Sequence, residues 1–299
     1  MFSRRHPYLF FLLVFTSIVS VAILGMSLLF VFGTKSSEFK FGEKIGIIEI
    51  TGVISDSKNT IQELKTFRED ESIKAIILRI DSPGGSVGPA QEIFREITKT
   101  VKTKKVVASM GTVAASGGYY IAAAANGIVA NPGTITGSIG VIVGFSNYQE
   151  LLKKIGLVPV VVKSGEYKDI GSPVREMTAN DKKILQNLVN QIQNQFVTAV
   201  SEGRKMNRAE VESLADGRIF SGEEAKSLGL VDRLGNLDDA IEWAGRMGGI
   251  KGKISTVYAV EPKFSLLEYL IGSSFKELAN SAVNPYIYPA YLYRPQTGP

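Results

Sequence analysis

Apolar positions along the chain fall into runs of three kinds. The first, residues 8–32, carries no charged side chain and is almost wholly apolar. At about 1.5 Å per residue, a helix of that length reaches roughly 37 Å, enough to cross a hydrocarbon core of about 30 Å. The second kind is short, rich in β-branched residues and bounded by turn formers, and it predicts buried strands at 45–50, 75–80, 105–110, 127–130, 139–143, 160–163 and 254–260. The third has helical spacing, at 59–70, 87–100, 148–155, 180–204, 208–214, 221–228 and 237–247, with Asn207, Ser221 and Asn236 as N-cap candidates. In residues 180–204 the expected apolar face is Ile184, Leu185, Leu188, Val189, Ile192, Phe196, Val197 and Val200. A further apolar helix is expected at 264–282, and a Tyr- and Pro-rich tail from 284, extended or mobile.

Strands alternating with helices at these lengths imply an α/β fold with a mostly parallel sheet. The leading apolar run reads as an uncleaved anchor. A cleaved secretory signal has an apolar region of about 7 to 15 residues ending at a small-x-small site, and this run is longer and ends without one. Arg4 and Arg5 place the N-terminus in the cytoplasm and the remainder of the chain outside it.

Composition narrows the chemistry. The net charge of +5 is spread along the 299 residues, and no basic run interleaved with aromatics points to nucleic acid. With no cysteine, disulfides, thiolate catalysis and Cys-ligated zinc are excluded. The one histidine, His6, lies before the anchor, so a Ser-His-Asp triad and a His-Glu-x-x-His zinc site are excluded beyond it. No cofactor is expected. A hydrolytic serine here would need Lys, Asp, Glu or Tyr as its base.

The nucleophile candidate is Ser116, in Ala114-Ala115-Ser116-Gly117-Gly118-Tyr119-Tyr120, where a strand ends and an apolar helix begins. The base candidate is Lys168, in a small-residue loop, preferred to Lys163, which ends the expected strand at 160–163. Backbone N–H groups near Gly84, Gly85 and Gly117 could hold an oxyanion. Each has a plain structural alternative: tight helix packing, an ordinary turn, a solvated lysine.

Five ordered motifs add a resemblance. Asp81-Ser82-Pro83-Gly84-Gly85, the Ser116 motif, Thr136-Gly137-Ser138-Ile139-Gly140-Val141, Lys163-Ser164-Gly165-Glu166-Tyr167-Lys168-Asp169, and Asp216-Gly217-Arg218-Ile219-Phe220-Ser221-Gly222 through Gly229-Leu230-Val231-Asp232 resemble the signal peptide peptidase A family in its short, single-domain form. The resemblance implies a Clp-protease/crotonase-like α/β fold behind one transmembrane helix, and a Ser-Lys dyad. Ser116 matches its nucleophile, Lys168 its general base, and the N–H groups of Gly85 and Gly117 its oxyanion hole. Ser164 is a possible support for the lysine, and Ser138 a rival nucleophile read as structural or substrate-lining.

The expected division is then 1–7 cytoplasmic, 8–32 anchor, 33–44 linker, 45–250 protease domain and 251–299 C-terminal extension. The implied partners are apolar peptides, signal peptides among them, the membrane, and further copies in a homo-oligomeric ring that can share the dyad between protomers. The alternatives are a related Ser-Lys protease acting on a specific membrane protein, an inactive scaffold, and a crotonase-type acyl-CoA enzyme.

Overall fold

The structure, a computed structural model, describes residues 6–33, 43–259 and 290–292. It divides into two units, Met1–Gly42 and Glu43–Pro299. In the first, α1 (Pro7–Gly33) is a helix whose stretch Pro7–Met26 is long and apolar enough to span a membrane. Its described apolar side chains, such as Phe11 and Ile18, are exposed.

The second unit is built on an eight-stranded sheet. Its centre is β1 (Lys44–Thr51), β2 (Ile73–Ser82) and β4 (Lys105–Ala115), all parallel, with β9 (Ser255–Tyr258) parallel on the outer side of β1. On its other side β4 forks. Val107–Ser109 pair with β5 (Gly127–Ala130), and Val113–Ala115 pair with β6 (Ile135–Gly137). β8 (Arg233–Leu234) extends the β5 branch in parallel, and β7 (Ile219–Ser221) closes the β6 branch antiparallel.

Strands buried on both faces should be continuously apolar, and the core shows why. Ile48, Ile76, Leu78, Val106 and Ala108 point to one layer. There they meet α2 (Lys58–Glu69), α3 (Val87–Thr100), α4 (Gly117–Ala122) and the second half of α6 (Ala179–Arg204). Their neighbours Ile45, Ile47, Ala75, Ile77 and Val107 point to the other layer, against Ala240 and Ala244 of α9 (Leu237–Met247). The caps expected at Asn207, Ser221 and Asn236 start α7 (Arg208–Leu214), α8 (Gly222–Ser227) and α9, each through a side-chain oxygen accepting a backbone N–H.

Two expected strands do not form. Residues 139–143 hold only an isolated bridge, and the pairing falls earlier, in β6. Residues 160–163 have no strand partner among the described residues, and Val160 and Val162 are 84% and 96% exposed. Around them Leu151 in α5 (Gln149–Lys154), Ile155, Leu157 and Val158 are exposed too. The same holds for Ile184 and Leu188 in the first half of α6, where a continuous buried face was expected; Ile192, Phe196, Val197 and Val200 are buried. The β-branched run thus has the composition of a strand without an edge to pair with.

The helix expected at 264–282 and residues 34–42 of the linker expected at 33–44 lie outside the described residues, while Lys44 already belongs to β1. Within the tail, β10 (Ala290–Leu292) pairs antiparallel with β3 (Gly84–Ser86), with Tyr291 opposite Gly85.

Candidate active site

Ser116 occupies the joint between β4 and α4, as the helix N-cap. Its backbone is at φ 53°, ψ −115°, a conformation that side-chain-bearing residues rarely adopt. Strain of this kind persists only when the surroundings impose it. Here the Ser116 N–H donates to the Gly137 carbonyl of β6 (2.8 Å), and the Ser116 carbonyl accepts from the Tyr120 N–H (2.8 Å). The side chain is thereby fixed on a sharp strand-to-helix turn, at 1% exposure.

The glycines around it admit close approach. A Cβ on Gly118 would stand 2.9 Å from the Ser82 carbonyl oxygen, so α4 can sit against the end of β2 only with glycine there. Gly117, the first helical residue, has no intrahelical acceptor for its N–H. Opposite α4 runs β3. The Gly84 carbonyl accepts from the Ile54 N–H (2.9 Å), and the Ser86 N–H donates to the Ile54 carbonyl (2.8 Å). Because strand residues alternate, the N–H and C=O of Gly85 face the other edge, the one β10 takes. The tail strand also contacts α4. An extended chain therefore lies along the glycine strand and touches the helix that Ser116 opens.

Two other candidate bases sit next to Ser116 in sequence, and their environment disqualifies them. Burial pushes the Tyr119 hydroxyl far up, and it donates to the Leu230 carbonyl (3.0 Å). Burial likewise pushes Tyr120 up to about 12. Neither can release a proton near neutral pH and then take one from Ser116. The rival serine, Ser138, is also at positive φ (51°) and buried, with its N–H donating to the Arg218 carbonyl (2.8 Å).

Lys168 lies elsewhere. It belongs to the exposed segment between β6 and α6, in a turn closed by its N–H donating to the Gly165 carbonyl (3.2 Å), and its side chain and that of Ser164 are exposed. Among the described residues no hydrogen bond joins Lys168 to Ser116 in one protomer. Lys163 does not end a strand. Its Nζ donates to the Glu166 carbonyl and to Asp169 Oδ1, both at 2.7 Å.

The feature that sequence reasoning missed is the clamp on this loop. Arg175 donates through Nε to Asp169 Oδ2 (2.9 Å), through Nη2 to Asp169 Oδ1 (3.0 Å), and through Nη1 to Asp181 Oδ2 (2.6 Å). Asp181 is itself the reciprocal partner of the N-cap Thr178. Arg175 holds the Asp169 carboxyl well below the usual carboxylate range, with Lys163 the next contributor. The one legible signal was Thr178-x-x-Asp181 at the start of α6, a capping-box spacing.

Comparison with known proteins gives the family. The peptidase family S49 model matches residues 98–251, and the Clp protease model matches 42–134. A Synechocystis protein named as a protease is 44% identical over 77% of this chain and 83% of its own length. One from Methanocaldococcus jannaschii, also named as a protease, is 32% identical over 90% of this chain and 92% of its own. An Enterococcus faecium protein named as a signal peptide peptidase is 37% identical over 67% of this chain and 62% of its own.

Proposed function

The chain belongs to peptidase family S49, in its signal peptide peptidase A branch, and on that premise we propose that it is a membrane-anchored endopeptidase cutting apolar peptides with a Ser116–Lys168 dyad. That it is a serine peptidase of Clp-protease-like α/β fold follows from the family; the residues and the setting are our reading.

The observation that carries it is the strained Ser116 beside a strand edge that accepts an extended chain. A peptide laid on β3 as β10 is would present its backbone to Gly85. Ser116 Oγ attacks the scissile carbonyl carbon while its proton passes to the Lys168 amine. The carbonyl oxygen becomes an oxyanion held by the N–H groups of Gly85 and Gly117. Collapse breaks the C–N bond, and the lysine returns the proton to the leaving amine. Water, deprotonated by the same amine, then releases the acyl group from Ser116. A lysine serves as such a base only when desolvated, because its free amine is otherwise scarce at neutral pH.

Lys168 is exposed in the single protomer, in a segment whose apolar side chains are exposed with it. That supports assembly into a ring in which the segment is covered and Lys168, with Ser164 beside it, reaches Ser116 of the next copy. The helix α1 supports anchoring, and Arg4 and Arg5 before it support an N-terminus in the cytoplasm with the peptidase unit outside, beside the bilayer in which apolar substrates such as spent signal peptides would remain.

Labelling the detergent-solubilised full chain with a fluorophosphonate tests the nucleophile. The adduct is expected on Ser116; an adduct on Ser138, or none, overturns the assignment. A second expectation concerns the tail. Because β10 occupies the edge assigned to substrate, deleting residues 284–299 should lower KM for an apolar peptide several-fold and leave kcat unchanged, since a tethered strand competes at high effective concentration. An unchanged KM would place substrate on another edge.

A further inference from the structure

We propose that Arg175 and Lys163 are positioning residues for Lys168: they engage both oxygens of the adjacent Asp169 carboxylate, so that this anion does not pair with the lysine amine. The inference rests on the reading of Lys168 as general base.

A lysine that must lose its proton is impaired by a carboxylate within reach, and Asp169 is its immediate neighbour in the chain. The structure occupies that carboxylate. Its Oδ1 accepts from Lys163 Nζ (2.7 Å) and Arg175 Nη2 (3.0 Å), and its Oδ2 from Arg175 Nε (2.9 Å). Arg175 Nη2 also reaches the Asp169 main-chain carbonyl (3.2 Å), so the guanidinium grips the residue at both ends. Such a bidentate fork is a strong and directional pairing, one that a lysine in its place could not reproduce.

The grip is itself anchored. Arg175 Nη1 joins Asp181 Oδ2 (2.6 Å) and the Glu176 carbonyl (2.9 Å), which ties the loop to the first turn of α6. The Asp181 side chain is 2% exposed, and its pKa is lowered by the same guanidinium. Of the other charged groups around the loop, Glu166 gives its main-chain carbonyl to Lys163 Nζ while its side chain, two residues before Lys168, is exposed, and Lys153 of α5 is paired with Glu150 (2.7 Å). Asp169 adjoins Lys168 in the chain, and two cations occupy it.

The test compares Arg175→Gln with Arg175→Gln/Asp169→Asn in the full-length detergent-solubilised protein, following kcat/KM for an apolar peptide across pH. Arg175→Gln frees Asp169 Oδ2 and leaves only Lys163 on Oδ1, so the acid limb should move up by about one pH unit. Activity near neutrality should fall about tenfold and converge on the wild type at high pH. The double variant, which lacks the carboxylate, should return the limb towards its wild-type position. A loss uniform across pH and not rescued by Asp169→Asn would show that Arg175 only holds the loop's shape, and would overturn the proposal. Lys168→Ala separates the two levels. If it keeps full activity, the dyad reading fails; if it is inactive while Arg175→Gln leaves the profile unmoved, only the present inference fails.

Discussion

Ser116→Ala and Lys168→Ala are each expected to lose peptide turnover by about a thousandfold or more, yet the two inactive variants co-expressed should regain activity. The single losses follow from the proposed roles: Ser116 supplies the nucleophile and Lys168 the base, and burial holds Tyr119 and Tyr120 protonated, so neither can replace the lysine. The regain follows from geometry. Ser116 is fixed at the end of β4 within the core, whereas Lys168 lies in a solvent-exposed segment whose valines are exposed too. If a head-to-tail ring brings that segment to the neighbour's Ser116, a mixed assembly contains sites pairing an intact serine with an intact lysine. Random mixing makes about a quarter of the sites competent, because each site draws its two halves from different copies. Peptide cleavage by the purified mixture reads this directly. A mixture as inactive as its components would mean that both halves come from one chain, and the shared site would be overturned.

The sheet and its helices were legible because their burial is decided locally. β2 and β4 carry continuous apolar runs since both faces meet helices, α3 repeats at helical spacing, and α7, α8 and α9 start at recognisable N-caps. The failures are of another kind. Residues 139–143 and 160–163 have strand composition, but a strand also needs an edge, and composition says nothing about which edge is vacant. The first half of α6 has an apolar stripe that the described residues leave partly exposed, as at Ile184 and Leu188. Ser116 was identifiable as a residue in a glycine-rich joint, but its positive φ was not, because the contact that imposes it runs to Gly137, across the sheet. The Arg175 clamp lay in an irregular loop, where no periodicity announces which charges will meet.

Gly85→Ala is expected to reduce kcat by at least about a hundredfold while the protein stays folded, the magnitude that loss of one oxyanion donor carries. A Cβ at this position would stand 2.1 Å from the Ile54 carbonyl oxygen and 2.6 Å from the Ile54 nitrogen, both backbone atoms that cannot rotate aside. The strand must therefore shift away from Ile54, and the displacement is transmitted to the Gly85 N–H on the opposite edge, where the oxyanion would form. A donor displaced by a fraction of an ångström loses most of its value, because it was aimed at the transition state. Gly88→Ala supplies the control: it lies only three residues on, in α3, with nothing within 4 Å of the added methyl, and alanine is the better helix former. The first variant should melt cooperatively, with kcat reduced, and the second should melt no lower than the wild type, with kcat intact. A Gly85→Ala enzyme of normal kcat would remove this N–H from the oxyanion hole. A Gly88→Ala enzyme as impaired as Gly85→Ala would show that the effect belongs to any methyl added near β3 rather than to the donor at its centre.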